Sequence, residues 1–225
     1  MTGTFVNAAA ILVGGSLGLL IKRGLPQRVT DGVMKALGLV TIFIGILGAI
    51  KSQDVLAVVL SIVVATVIGS LIDIDKGIHK LTDRLIGSKG DNRFSEGFVT
   101  TTLLFITGAM AVTGAMNDGI NGDSTLLITK AVMDGVSALI FAAALGMGVL
   151  LSAVPVLIYQ GGIALLSGLI APVLSPQTIV EMGAVGSILV IGVGINLIGA
   201  AKIKVFNSIL AIFLPILYFL IKGLF

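Results

Sequence analysis

The sequence predicts an all-α, polytopic membrane protein, a helix bundle that crosses the bilayer about eight times, with seven crossings as the alternative. The chain of 225 residues is 56% hydrophobic and only 11% charged, whereas soluble domains carry about 25% charged residues. Its apolar runs are continuous over about 18 to 25 residues, which fits membrane-spanning helices and not the alternating strands of a barrel. Because lipid offers the backbone no hydrogen-bonding partner, each segment must satisfy its own peptide groups as a helix.

Each predicted span is an apolar run that ends at charged residues, prolines or both. Pro26 suits the first turn of a helix, because a backbone N–H group at that place would have no partner within the helix and proline has none. The apolar stretch 126–173 is too long for one crossing, because helical residues rise about 1.5 Å each and the bilayer core is about 30 Å thick. We predict that it folds back at Pro155, with a kinked or re-entrant arrangement as the alternative. The predicted spans are 5–20, 26–50, 55–72, 98–116, 126–151, 155–173, 179–199 and 205–224.

One extended polar stretch, residues 73–96, interrupts the apolar pattern and contains ten of the 25 charged residues. Its apolar residues Ile74, Ile78, Leu81 and Leu85 recur at helical spacing. The spacing predicts a short amphipathic helix that lies on the membrane surface.

The distribution of basic residues predicts the orientation, because Lys and Arg are retained on the cytoplasmic side. With both termini outside and the loop 73–96 cytoplasmic, only Lys51, Lys130 and Lys222 of the 14 basic residues fall nearest the outer side. The first apolar run follows no basic segment and precedes no convincing cleavage site, so we expect a retained helix and not a signal peptide.

An internal similarity suggests how a single membrane domain of residues 1–225 is organised. An offset of 103 residues aligns 28–50 with 131–153 at six identical positions. Chance produces such a score readily in apolar, glycine-rich helices, but the two segments enter the membrane from opposite sides, as in the inverted repeats of many secondary transporters. The predicted repeats are 1–96 and 97–175, with 176–225 as an additional helix pair.

Lys130 and Asp134 are the first candidates for a substrate- or ion-binding site. They stand four residues apart on one face of the fifth predicted span. An ionisable side chain inside a span costs a few kcal/mol or more, so it usually faces a partner or a watery cavity. The alternative is that Lys130 extends to the surface and pairs with Asp134 for solvation alone.

The remaining candidates are one further acid and three amides. Asp31 occupies the position equivalent to Asp134 in the repeat, and an interfacial ion pair with the neighbouring basic residues is its simpler interpretation. Asn7, Gln160 and Asn196 lie in apolar runs. Such amides either hold helices together or line a polar path.

Several function classes find no support in the sequence. The chain has no cysteine, and it shows no HExxH motif, Walker loop or Ser/His/Asp arrangement. We therefore expect no enzyme, no cofactor and no metal site. The basic pI near 9.3 comes from residues clustered between apolar runs, so the expected partner is the lipid bilayer and not a nucleic acid.

Glycine is unusually abundant, with 30 residues. The clusters Gly14, Gly15, Gly18 and Gly186, Gly192, Gly194 predict close helix packing, since small residues let helices approach in lipid; broken helices are the alternative. A homodimer is a further expectation, because two-fold assemblies are the commonest oligomers.

Four segments resemble one bacterial membrane family, called domain of unknown function 554. They begin at Gly3, Phe98, Leu126 and Ala184, and the part that contains Lys130 and Asp134 is the most specific. The resemblance covers essentially the whole chain. It implies a bacterial inner-membrane location and a loose label as a transport protein, but no substrate, cofactor or catalytic residue.

Two functions fit these observations. The first is a secondary transporter or channel for a small solute or ion in the bacterial inner membrane. The second is a non-transporting membrane subunit or regulator that binds a protein partner through the loop 73–96. Convergence of Asn7, Asp134, Gln160 and Asn196 on one place would favour the first, and their dispersal would favour the second.

Overall fold

A computed structural model describes residues 1–22, 26–86 and 92–223, and this part of the chain is helical throughout, without a strand. Of the predicted polar stretch, residues 87–91 and the side chains of Leu81 and Leu85 lie outside the described part, as does residue 224 of the last predicted span. The helices are α1 (Thr2–Lys22), α2 (Gln27–Ala49), α3 (Val55–Ile72), α4 (Ile74–Ile86), α5 (Asn92–Ile106), α6 (Ala109–Ile120), α7 (Thr125–Leu145), α8 (Gly148–Leu151), α9 (Ala153–Ile170), α10 (Pro176–Leu197), a 3-10 helix (Val205–Phe213) and α11 (Leu214–Lys222).

Seven segments of the described chain are long and apolar enough to cross a membrane, and the number becomes eight if α5 and α6 together form one span. These two helices meet at an angle of 62°. The bend falls at Thr107 and Gly108, where Gly108 has a φ of +97°, a conformation that glycine adopts without a steric penalty. The predicted span 98–116 is therefore broken near its middle.

The predicted fold-back at Pro155 is wrong. The chain turns at Gly146, whose φ of +90° ends α7, and α8 and α9 then form one apolar segment, Gly148–Ile170. Pro155 lies in the first turn of α9. A proline is tolerated there, because the first backbone N–H groups of a helix have no partner within the helix.

The polar stretch begins as predicted with an amphipathic helix, α4. Asp73, with a φ of +53°, separates it from α3. The start of α4 is held by two contacts: the Asp75 N–H donates to Asn207 Oδ1 at 2.9 Å, and Lys204 Nζ lies 3.1 Å from Asp73 Oδ1. These contacts join α4 to the segment around the 3-10 helix.

The chain divides into two compact units. The first comprises Met1–Leu37, Asn92–Ile106 and Met110–Ala171, and the second comprises Gly38–Asp91, Thr107–Ala109 and Pro172–Phe225. The repeats 1–96 and 97–175 stay a prediction.

In the first unit, α1 lies directly along α7. A Cβ atom added at Gly14 would stand 2.0 Å from the carbonyl oxygen of Gly135, and one at Gly18 would stand 2.1 Å from that of Leu139. No larger side chain fits at either position without displacing backbone. The two glycines therefore set the short helix separation that brings side chains of α1 within reach of α7.

Candidate functional site

A buried polar cluster joins three helices of the first unit. Asn7 comes from α1, Lys130 and Asp134 from α7, and Gln160 from α9. Asn7 and Gln160 are fully buried, and Lys130 and Asp134 are 6% and 7% exposed. We call these four residues, together with Thr4, the polar cluster.

Asp134 is the centre of its hydrogen bonding. Its Oδ2 atom accepts from Lys130 Nζ and from Asn7 Nδ2, which lies 2.9 Å away. The other N–H of Asn7 donates to Gln160 Oε1 at 3.2 Å. Lys130 Nζ also stands 6.0 Å from the centre of the Phe105 ring on α5, within the range of a cation–π contact.

Local sequence explains this arrangement. Lys130 and Asp134 are four residues apart, so the helix places them on one face in adjacent turns. Asn7 reaches Asp134 because Gly14 and Gly18 bring α1 close to α7. Gly161 follows Gln160 and lies against the start of α1, since a Cβ added there would be 3.8 Å from Thr4 Cγ2.

Three polar atoms of the cluster have no hydrogen-bond partner among the described residues: Thr4 Oγ1, Asn7 Oδ1 and Gln160 Nε2. Turning the amides over would not satisfy them. If the Asn7 amide were turned over, its oxygen would face Asp134 and repel the carboxylate. Because Asn7 Nδ2 is therefore the donor, the atom of Gln160 that faces it has to be the oxygen. An unsatisfied buried polar atom costs about 1–3 kcal/mol. The cluster thus has room in its hydrogen bonding for more partners than the described residues supply.

The other two predicted candidates lie elsewhere. Asn196 belongs to the second unit and closes a loop, because its side chain donates to the Ile203 carbonyl at 2.8 Å and accepts from the Ile203 N–H at 2.7 Å. Asp31 is largely exposed and pairs with Arg93 at 3.6 Å. Of the four residues expected to converge, Asn7, Asp134 and Gln160 therefore do so. Asn196 instead bonds to the backbone of Ile203.

Two buried acids were not among the candidates. Asp118 follows the predicted span 98–116, but the structure places it in α6, where it is buried and accepts from the Gly3 N–H at 3.0 Å and the Ser124 hydroxyl at 2.7 Å. Glu181 in α10 is fully buried. The signal that could have found Glu181 is a single acid at the start of an apolar run.

Glu181 closes the start of α3 in the second unit. It accepts from the Ser52 hydroxyl at 2.6 Å and from the backbone N–H groups of Gln53 and Asp54 at 2.6 and 2.9 Å. A carboxylate at this place satisfies backbone donors just before a helix and complements the positive end of its dipole. These hydrogen bonds of Glu181 all go to the segment that precedes α3.

Asp54 caps the same helix and forms an ion pair. Its Oδ1 accepts from the Ala57 N–H at 3.1 Å, its Oδ2 lies 2.8 Å from Lys222 Nζ, and the Tyr218 hydroxyl donates from 3.3 Å. The hydrogen bond from Lys222 is the largest influence on this carboxyl and holds the pKa of Asp54 below its usual range, against the opposing effect of burial.

The pH dependence of this ion pair gives a prediction. Folding lowers the pKa of Asp54. The ion pair therefore stabilises the protein fully above the pKa of Asp54 in the unfolded chain, about 3.9. This stabilisation is lost as the pH falls through the lower pKa that Asp54 has in the folded protein. We expect Lys222→Met to lower the unfolding temperature at neutral pH and to have progressively less effect under acid conditions. Lys51→Met, which changes an exposed lysine of the neighbouring loop, is the control. A pH-independent effect of Lys222→Met would contradict the prediction.

Within the described ranges, no three His, Cys, Asp or Glu side chains come together in a way that could hold a metal ion.

The helices and their buried charges define a polytopic α-helical membrane protein. The chain belongs to the family described as "Protein of unknown function (DUF554)", whose model matches residues 2–220. It is 32% identical over 219 residues to the "Uncharacterized protein YqgA" of Escherichia coli (strain K12), with 94% of this chain and 93% of the relative covered. It is 26% identical over 219 residues to the "Uncharacterized membrane protein YdfK" of Bacillus subtilis (strain 168), with 96% and 94% covered. No solved structure matches the chain significantly.

Proposed function

We propose that the protein is a secondary transporter or channel for a small solute or ion in the bacterial inner membrane, and that the polar cluster of the first unit is its binding site. The observation that carries this proposal is the incomplete hydrogen bonding of the cluster. Thr4, Asn7 and Gln160, all fully buried, each keep a polar atom without a partner among the described residues.

Stability alone does not account for such a cluster. Apolar side chains of similar volume often stabilise a protein as well as a buried ion pair does, or better. Ionisable groups that persist inside spans usually belong to a path for ions or solutes. Here Lys130 and Asp134 come with amides from two further helices, so that a solute in the cluster would contact α1, α7 and α9 together.

The bend between α5 and α6 also supports a transport function. Discontinuous spans are a recurring feature of secondary transporters, where the ends of half-helices face the transported species. If α5 and α6 make one crossing, the chain crosses eight times, and both termini lie on one side. Together with the distribution of basic residues, this supports an orientation with α4 on the cytoplasmic side and the termini outside.

Replacement of Asp134 by Asn tests the proposal. A thermal-shift screen of the purified wild-type protein against inorganic ions and small metabolites identifies ligands, because binding to the folded state raises its apparent stability. We expect the Asp134→Asn variant to lose uptake of such a ligand into proteoliposomes while it expresses and folds. Lys204→Met, which removes the exposed ion pair with Asp73, is the matched control and should transport normally.

Unchanged uptake by the Asp134→Asn variant would remove Asp134 from the site. If no compound shifts the wild-type protein and no solute crosses the proteoliposome membrane, the transport proposal fails. Copurification of a specific protein that depends on the loop 73–96 would then identify a non-transporting subunit.

A further inference from the structure

We propose that the polar cluster carries a small monovalent anion together with a proton, with Lys130 as the anion's partner and Asp134 as the proton's acceptor. This inference rests on the proposed function and names its substrate class. It follows from the charge balance of the cluster and from its surplus of hydrogen-bond donors.

The charge balance restricts what can enter. Lys130 and Asp134 form a buried ion pair of zero net charge. An added cation or an added anion alone would leave one uncompensated charge in a low-dielectric interior, which is costly. An anion and a proton bound together leave the loaded cluster as neutral as the empty one.

The unused groups of the cluster are mostly donors. A lysine ammonium has three N–H donors and a primary amide has two. Among the described residues, Lys130 Nζ makes one hydrogen bond, to Asp134, and Gln160 Nε2 makes none. The unused acceptor of Asn7 is a single oxygen, Oδ1. This surplus of N–H groups in a cluster that also holds a cation favours a ligand that accepts hydrogen bonds.

Proton uptake turns the cluster into an anion site. A proton from the aqueous phase binds a carboxylate oxygen of Asp134, and the ion pair with Lys130 is lost. Lys130 then carries an uncompensated positive charge, and the N–H group of Asn7 that faced Asp134 is available as well. The anion takes the place of the carboxylate next to Lys130 and Asn7. Release of anion and proton on the other side restores the pair.

Among the described residues, Asp134 is the acid that accepts from Lys130 and Asn7, whereas Asp118 pairs with the amino group of Met1. The described part of α1 brings no ionisable side chain before residue 22, and α9 brings only Tyr159. Asp118 lies beside Leu127 of α7, about 10 Å along the helix axis from Asp134. Arg93 and Glu96 start α5, whose Gly97 packs against Leu145, about 16 Å along α7 from Asp134.

Anion binding to two variants tests the inference. The substitution Asp134→Asn mimics the protonated carboxyl and leaves Lys130 without its counter-ion. With chloride, nitrate, formate and acetate as probes, and gluconate as the bulky reference anion, we expect at least one probe to raise the unfolding temperature of Asp134→Asn at neutral pH. The wild-type protein should show the same shift only at acidic pH. In Asp134→Asn combined with Lys130→Gln, the apparent dissociation constant should be weaker by about tenfold or more.

Transport measurements complete the test. An inward gradient of the anion that binds should acidify proteoliposomes containing the wild-type protein, and the rate should not depend on membrane potential. Asp134→Asn should lose the coupled acidification while it still binds the anion, and Lys204→Met should behave as the wild type.

Three results would overturn the inference. The first is that none of the four anions stabilises either the wild type at acidic pH or Asp134→Asn at neutral pH. The second is an equal shift in the double variant, which would show that the anion acts without Lys130. The third is uptake of an uncharged or cationic solute that needs no anion, which would leave the transport proposal standing. Absence of flux for every class of solute would instead remove the transport proposal.

Discussion

Replacement of Lys130 by Met is expected to destabilise the protein by about 3–5 kcal/mol, since breaking one side of a buried ion pair leaves an uncompensated charge. Asp134 would keep only its hydrogen bond from Asn7. The effect is measured as the change in unfolding free energy or unfolding temperature of detergent-purified protein.

A second substitution in the same background separates charge from packing. Adding Asp134→Asn to Lys130→Met removes the stranded carboxylate, and we expect the double variant to recover most of the lost stability. Lys204→Met provides the comparison, because its ion pair with Asp73 is exposed and exposed pairs contribute little. If the double variant were as unstable as Lys130→Met, the loss would come from the missing methylene packing of Lys130 and not from charge.

Replacement of Glu181 by Ala is expected to destabilise the second unit by about 3 kcal/mol, because it leaves several partly buried donors without an acceptor. Those donors are the Ser52 hydroxyl and the N–H groups of Gln53 and Asp54. Glu181→Gln keeps one oxygen at this place and should lose less. Thermal unfolding of both variants checks the order.

Ser52→Ala is the matched control for Glu181. It removes one donor and leaves the backbone contacts to the carboxylate in place, so its effect should be the smallest of the three. If Ser52→Ala destabilised the protein as much as Glu181→Ala does, the stabilisation by Glu181 would come from its bond to the Ser52 hydroxyl. The bonds to the backbone before α3 would then contribute little.

Much of the fold follows from local sequence. The predicted limits of the third span, 55–72, coincide with α3, because Asp54 and Asp73 stand at its two ends as cap residues. The amphipathic spacing after Asp73 predicted α4 correctly. The turn before α9 could not be placed in the same way. Pro155 is visible in the sequence, but whether a glycine such as Gly146 adopts a positive φ depends on the packing of the surrounding helices.

The polar cluster could be predicted in part. Asn7, Lys130, Asp134 and Gln160 were singled out because polar groups inside apolar runs need partners. Asn196 met the same criterion and lies elsewhere, since sequence gives the residue type and not its neighbour in space. Its partner is the backbone of Ile203, seven residues further along the chain. Glu181 was missed because an acid at the start of a predicted span can lie at the membrane surface, where it needs no buried partner.

The 3-10 helix Val205–Phe213 makes the last span longer than an α-helix of the same residues would be. Its nine residues rise about 2.0 Å each, against about 1.5 Å in an α-helix. Rewinding this segment as an α-helix would shorten the span by about 4.5 Å and rotate its side chains, without unfolding any turn of α11. Asn207 and Ser208 lie within it and bond to Asp75 of α4 and Thr66 of α3. A change of winding would therefore displace hydrogen-bond partners of both helices.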